Sequence, residues 1–191
     1  MAVIDTELSN ELRGTTSGIF LRLRKALFIN PIVKEFIGYV LDVGCRDGLY
    51  LESYPGKSLG IDISDYWVEE CKRKGLNVLQ ADAETFVQEN TFDTVLLSHL
   101  LEHLDQPSKA LANAYRSTKP GGKIIITVPR FKVFLHGFND LSGHKQFISA
   151  EYVDHYLSRG CRKVKSSIFP FSDELPFLGK YQELRLIYQK E

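Results

Sequence analysis

Residues Tyr39 to Tyr50 read YVLDVGCRDGLY, and this stretch constrains the rest of the chain more than any other. Four residues of strand character, Tyr39 to Asp42, run into Gly44 and Gly48, and a helix can start at Asp47. Glycines in such a turn carry no Cβ, so the backbone can approach a ligand closely. The helix start adds unpaired N–H donors and a partial positive charge, so a ligand with a polar or anionic part is expected. A dinucleotide fingerprint needs glycine at the first, third and sixth positions of the turn. Here those positions hold Gly44, Arg46 and Leu49, and the dinucleotide reading fails. In its place stands an acid at the strand end, Asp42, able to accept from an ammonium group. The G-x-x-x-G spacing alone is also that of an ordinary strand-to-helix turn.

From this turn onward, strands and helices alternate. The pattern predicts strands at 39–43, 57–63, 76–81, 92–98 and 122–128, with helices at 47–54, 64–74, a short piece near 83–88, and 106–118. Such alternation implies right-handed crossovers and a parallel sheet with ligands at the C-terminal strand ends. Beyond Pro129 a loop rich in aromatic and polar residues leads to a helix at 149–159 with Ser149 as N-cap. Two more strands, 161–169 and 180–189, give the sheet an antiparallel ending. Before Tyr39, helical spacing of Ile19, Leu23 and Leu27, then Ile32, Val33, Phe36 and Ile37, predicts two helices, the second with Pro31 in its first turn.

Composition narrows the partners. With 191 residues and 43% hydrophobic content the chain suits one domain with a substantial core. Lys plus Arg balances Asp plus Glu at 24 each, which disfavours a nucleic-acid partner. No apolar run is long enough to span a membrane. Cys45, Cys71 and Cys161 lie far apart and read as free thiols of a cytoplasmic protein.

Later strand ends also carry polar signals. GIDIS puts Asp62 where an acid can take two ribose hydroxyls, whereas Ser64 suits a helix N-cap. ADAETF puts Asp82 and Glu84 where they could read an adenine edge or serve as a helix cap and charged first turn. In order, DVGCRDG, GIDIS, ADAETF, FDTVLLSHLLEHLDQP and KPGGKIIITVP resemble the class I S-adenosylmethionine-dependent methyltransferases, nearest the small-molecule branch with an EHL segment after strand four. GHKQFISAEYVDHYLSRGC resembles that branch's later histidine-bearing helix more loosely.

The resemblance implies a three-layer Rossmann-like α/β fold: a seven-stranded, mostly parallel sheet with an antiparallel C-terminal strand and helices on both faces. It implies one domain over 1–191, with a helical cap at 1–38, a cofactor-binding half at 39–129, and the substrate side and last strands at 130–191. Carried over by position, Asp42, Gly44, Cys45 and Gly48 would hold the methionine moiety of S-adenosylmethionine. Asp62 and Ile63 would hold the ribose, and Asp82, Ala83 and Glu84 the adenine. Ser98, His99 and Leu100 would line the methyl-transfer face, and Pro120-Gly121-Gly122 would turn the chain into strand five. Arg46 departs from the family's usual glycine; its guanidinium would pair with the cofactor's carboxylate or fill the space of the methionine tail.

The expected reaction is methyl transfer to an O or N nucleophile of a small molecule, by a monomer or homodimer. The cofactor carries the reactivity and the protein the alignment. His99, His103 and His144 are the candidate bases, since an imidazole titrates near neutral pH. Metal-free transfer is expected, because the EHL pattern ordinarily needs no metal. The alternative takes H-x-x-E-H as helical, with His99 and His103 on one face, Glu102 between them and His144 as a further ligand. Other readings are an RNA or protein methyltransferase, and a catalytically silent binding domain.

Overall fold

The apolar runs of the sequence become the strands of a single sheet. The computed structural model describes residues 25–129, 143–169 and 182–191. It divides into two compact units, Met1–Glu35 and Phe36–Glu191. In the first, Lys25–Ile29 forms a π-helical turn that leads into α1 (Asn30–Val33), with Pro31 in its first turn as expected. The predicted helix does not continue: residues 36–39 are not helical. Ile19 and Leu23 lie outside the described residues.

The second unit carries β1 (Val40–Val43), α2 (Leu49–Ser53), β2 (Ser58–Asp62), α3 (Asp65–Arg73), β3 (Val78–Gln80), β4 (Phe92–Ser98), α4 (Pro107–Ser117), β5 (Thr118–Pro129), α5 (Ala150–Leu157), β6 (Cys161–Phe169) and β7 (Glu183–Lys190). The strand order is β3-β2-β1-β4-β5-β7-β6. β1 to β5 pair in parallel, and β7 runs antiparallel to both β5 and β6. All four residues of β1 and all five of β2 are buried, as strands covered on both faces require.

Alternate residues of these strands serve different layers. Leu41, Val43, Leu59 and Ile61 join the main core with Ala110, Leu111 and Ala114 of α4 and Val153 and Leu157 of α5. A smaller cluster of Cys45, Leu51, Val68, Cys71 and Val78 packs α2 and α3 on the sheet. Ser149 caps α5 as expected, its hydroxyl accepting from the Tyr152 N–H at 3.1 Å. Among the described residues no helix is long and apolar enough to cross a membrane.

Two sequence expectations change. The segment near 83–88 forms a single turn rather than a helix: Asp82 takes the Glu84 N–H on its side chain and the Thr85 and Phe86 N–H groups on its carbonyl, but the Gln88 N–H leaves the segment for the Ser117 hydroxyl at 3.1 Å. Strand five begins at Thr118, so Pro120-Gly121-Gly122 lies inside it. Phe92 pairs with Thr118 and Thr94 already with Lys123, and the surplus residues bulge out with Gly121 at φ +77°.

Candidate active site

Adjacent parallel strands bring their carboxyl ends to one edge, and there the glycine turn folds against β2. The Gly44 and Cys45 N–H groups both donate to the Ile61 carbonyl, at 2.8 and 2.9 Å. Gly44 and Gly48 have φ of +72° and +75°. A Cβ on Gly44 would lie 2.8 Å from Leu100 Cδ1, and one on Gly48 would lie 2.5 Å from Leu76 Cδ1. The positive φ favours glycine at both positions, and a side chain at either would also have to displace a leucine methyl. Arg46 sits between them at φ +46°, a conformation that ordinarily selects glycine. Its N–H donates to Asp62, its carbonyl accepts from the Cys71 thiol, and its guanidinium lies over the Trp67 ring, 5.4 Å from the centroid.

Asp42 is buried among apolar strands, and its Oδ2 has no hydrogen-bond partner. Burial pushes its carboxyl up to about 8, with the Asp47 and Asp62 carboxylates adding to the shift. Asp62 is also buried, but its two oxygens accept the Ser64 and Arg46 N–H groups at 2.9 and 2.8 Å. Ile63 beside it is 69% exposed, a large apolar side chain left to solvent at the rim. Cys45 is buried, and its hydrogen bond to Cys71 together with burial pushes its thiol up, away from reactivity.

Asp82 follows β3 and holds its own turn, so the capping reading accounts for its side-chain bond to Glu84. Glu84 accepts the Gln106 N–H at 2.8 Å at the start of α4, and the Ala83 carbonyl accepts from Asn113 at 3.2 Å. These bonds fasten the Asp82 turn to α4.

At the end of β4 the structure adds residues that sequence reasoning missed. The Ser98 hydroxyl is 3.1 Å from the Tyr50 hydroxyl and 3.0 Å from that of Thr127. Next, His99 adopts φ +48° and donates its Nε2–H to Glu183 at 2.7 Å, while its Nδ1 lies 3.5 Å from Glu102. Burial opposes the imidazolium, but the Glu102 and Glu183 carboxylates outweigh it and push His99 up to about 9. Glu183 is itself buried. Burial would raise its carboxyl, yet His99 and the bonded Arg185 hold it below the usual range. Arg185 also stacks over Phe169, 4.1 Å from the ring centroid. The sequence signal for this pair was weak: opposite charges two residues apart on a strand that reads as half polar.

The register explains the convergence. Asp42 pairs with Gly60 and Leu96, and Ser98 pairs with Thr127, which in turn pairs with Arg185. Asp42, Asp62, Ser98, Thr127, Glu183 and Arg185 thus fall on one face of the sheet. H-x-x-E-H does not form a helix. Only Leu101–His103 makes a 3₁₀ turn, and the left-handed His99 before it faces Glu183 rather than sharing a helical face with His103. His103 instead meets His144, their ring centroids 4.8 Å apart.

Residues 41–126 match a family model described as a methyltransferase domain. The fold is similar to the N-methyltransferase NodS of Bradyrhizobium japonicum, solved with S-adenosyl-L-homocysteine. Its TM-score is 0.72 at 17% identity, covering 99% of this chain and 97% of that one. The ubiquinone biosynthesis O-methyltransferase of Coxiella burnetii is 27% identical over 186 residues, 87% of this chain and 75% of the relative. That of Pseudomonas fluorescens is 31% identical over 163 residues, 74% of this chain and 66% of the relative. The chain belongs to the class I S-adenosylmethionine-dependent methyltransferases. Its cofactor is S-adenosylmethionine, and the methyltransferase presents a fitting donor set: an orphaned buried carboxylate oxygen beside a turn that favours glycine.

Proposed function

We propose that this methyltransferase methylates an oxygen of a small molecule, with Asp42 receiving the cofactor's ammonium group. The observation that carries the reading is the unpartnered Oδ2 of Asp42, a buried acceptor aimed at no protein donor. A carboxylate accepts at more than two sites, so Asp62 retains capacity for ribose hydroxyls after taking two backbone N–H groups. Ile63 supplies an apolar face beside it, and Asp82, Ala83 and Glu84 form the adenine side. Gly44, Cys45 and Gly48 shape the turn around the methionine moiety, with Arg46 stacked on Trp67 and Leu100 packed over Gly44. When bound, S-adenosylmethionine supplies an electrophilic methyl group on sulfur.

On the acceptor side, Ser98 offers a hydroxyl from the end of β4. Held up to about 9 by two carboxylates, His99 is protonated at neutral pH with one N–H on Glu183 and the other turned to Glu102, so it places a fixed positive charge beside the acceptor instead of serving as the base expected from the sequence. The choice of oxygen over nitrogen rests on the O-methyltransferase relatives, and a small-molecule acceptor agrees with a net charge of zero. His103 and His144 remain as acceptor-side groups, and a monomer or homodimer is the expected state.

Calorimetry of the full chain with S-adenosylmethionine tests the cofactor half of this reading. The expected result is saturable binding, weakened on the order of tenfold or more in Asp42→Asn. An absence of heat at millimolar cofactor from a folded sample would overturn it. Incubation with phenolic and amine acceptors, read by mass spectrometry, tests the other half; methylated amines without methylated phenols would reject oxygen. Filter binding to RNA with a salt-dependent signal would favour the nucleic-acid alternative.

A further inference from the structure

Glu102 is a buried acid that the cofactor site does not use. It is 2% exposed; His99 Nδ1 stands 3.5 Å from its Oε1 as an ion-pair neighbour, and neither carboxylate oxygen has a donor at hydrogen-bond geometry. Buried polar atoms in that state call for a further partner. Beside it stand two imidazoles. One ligand atom each from Glu102, His103 and His144 lies within 4.8 Å of the others, and both histidines are partly exposed.

The surroundings hold this cluster together. The Glu102 carbonyl accepts the Lys145 and Gln146 N–H groups at 2.8 and 3.3 Å. Gln146 Nε2 donates to the Leu104 carbonyl at 2.7 Å, and Lys145 Nζ pairs with Asp105 at 2.7 Å. These bonds zip residues 143–146 onto 102–105 and set His144 beside His103. His103 Nδ1 donates to the Gly143 carbonyl at 3.2 Å, which leaves Nε2 with its lone pair. Metal-binding histidines are oriented by this kind of contact.

We infer that Glu102, His103 and His144 form a binding site for one divalent transition-metal ion next to the acceptor side of the methyltransferase. One carboxylate and two imidazoles suit Zn²⁺ or Mn²⁺ and leave further coordination positions open; imidazole makes Mg²⁺ the poorer fit. Bonds of about 2.0–2.2 Å would draw the ligand atoms closer than they stand here, through small side-chain rotations. Ligation also gives the buried carboxylate oxygens of Glu102 a partner beyond His99. The ion's task, coordinating an acceptor oxygen and lowering the pKa of its hydroxyl, rests on the reading under Proposed function; the ion site does not.

The full chain, stripped with chelator, is dialysed against Zn²⁺ or Mn²⁺ alone and analysed for bound metal, alongside Glu102→Gln, His103→Asn, His144→Asn and the control His155→Asn at an exposed position of α5. The inference expects about one ion per chain in the parent and the control, with affinity reduced on the order of tenfold or more in each ligand variant. No bound ion in the parent, or equal binding in all three ligand variants, overturns it. Circular dichroism checks each fold, and should one variant unfold, the other two carry the same expectation. Cofactor calorimetry in chelator on the same sample separates the two readings. Heat without metal binding sinks only the ion site, and metal binding without heat sinks only the methyltransferase roles.

Discussion

Asp42 and His99 are two residues whose protonation near neutral pH is set by their surroundings. Asp42 is held up to about 8 against an ordinary 3.8, so near pH 7 it carries a proton in the folded chain. An incoming ammonium favours the carboxylate, and binding therefore releases that proton. Calorimetry in buffers of different ionisation enthalpy is expected to find close to one proton released near pH 7, and none in Asp42→Asn. The stability consequence follows in sign. Between about 3.8 and 8 the folded chain binds a proton that the unfolded chain has lost, so stability falls as pH rises across that window. His99, held up to about 9 against 6.5, acts in the same direction: its contribution is complete below about 6.5 and is lost as pH rises through about 9. Urea midpoints should therefore decline from mildly acid to alkaline pH. Replacing Glu183 with Gln should flatten the alkaline part of that decline, with an imidazole titration by NMR showing His99 moving back down.

Among the elements, the turn between β1 and α2 tolerates little change. Gly48→Ala would place a Cβ 2.5 Å from Leu76 and 2.9 Å from the Cys71 sulfur, at φ +75°. The strain and the overlap together should cost about 2–3 kcal/mol in urea unfolding. The α5 cap is a milder case. Ser149→Ala removes one bond to the Tyr152 N–H, and a loss of about 1 kcal/mol is expected. These two elements were legible beforehand because glycine spacing and an N-cap serine act over a few residues. The turn at 83–88 reads as helix for the opposite reason: Asp82 starts a helical turn locally, and the Gln88 N–H that leaves it for Ser117, 29 residues on, is invisible to local spacing.

At the scale of the whole second unit, β7 joins distant parts of the chain. Buried Lys190 donates to Asn90 Oδ1 and to the Tyr115 and Thr118 carbonyls, at 3.0, 3.0 and 2.8 Å. Lys190→Met keeps the volume and strands those acceptors, so denaturant unfolding should show a loss of about 2–4 kcal/mol. The same strand, running antiparallel, delivers its first residues to the edge where β1 to β5 end, and so brings Glu183 to His99 and Arg185 to Thr127. The sequence by itself determined the strand-helix alternation, the glycine turn and the acids at successive strand ends, since each depends on periodicity or on neighbours in the chain. The sequence also offered Glu102, His103 and His144, with His99, as an alternative ligand set; only the tertiary structure decided that Glu183 would hold His99 charged and that His144 would come to Glu102 and His103 without His99. Glu183 and His144 lie tens of residues from the β4 end, and their approach is set by sheet register and by the bonds that dock residues 143–146, which no local pattern encodes.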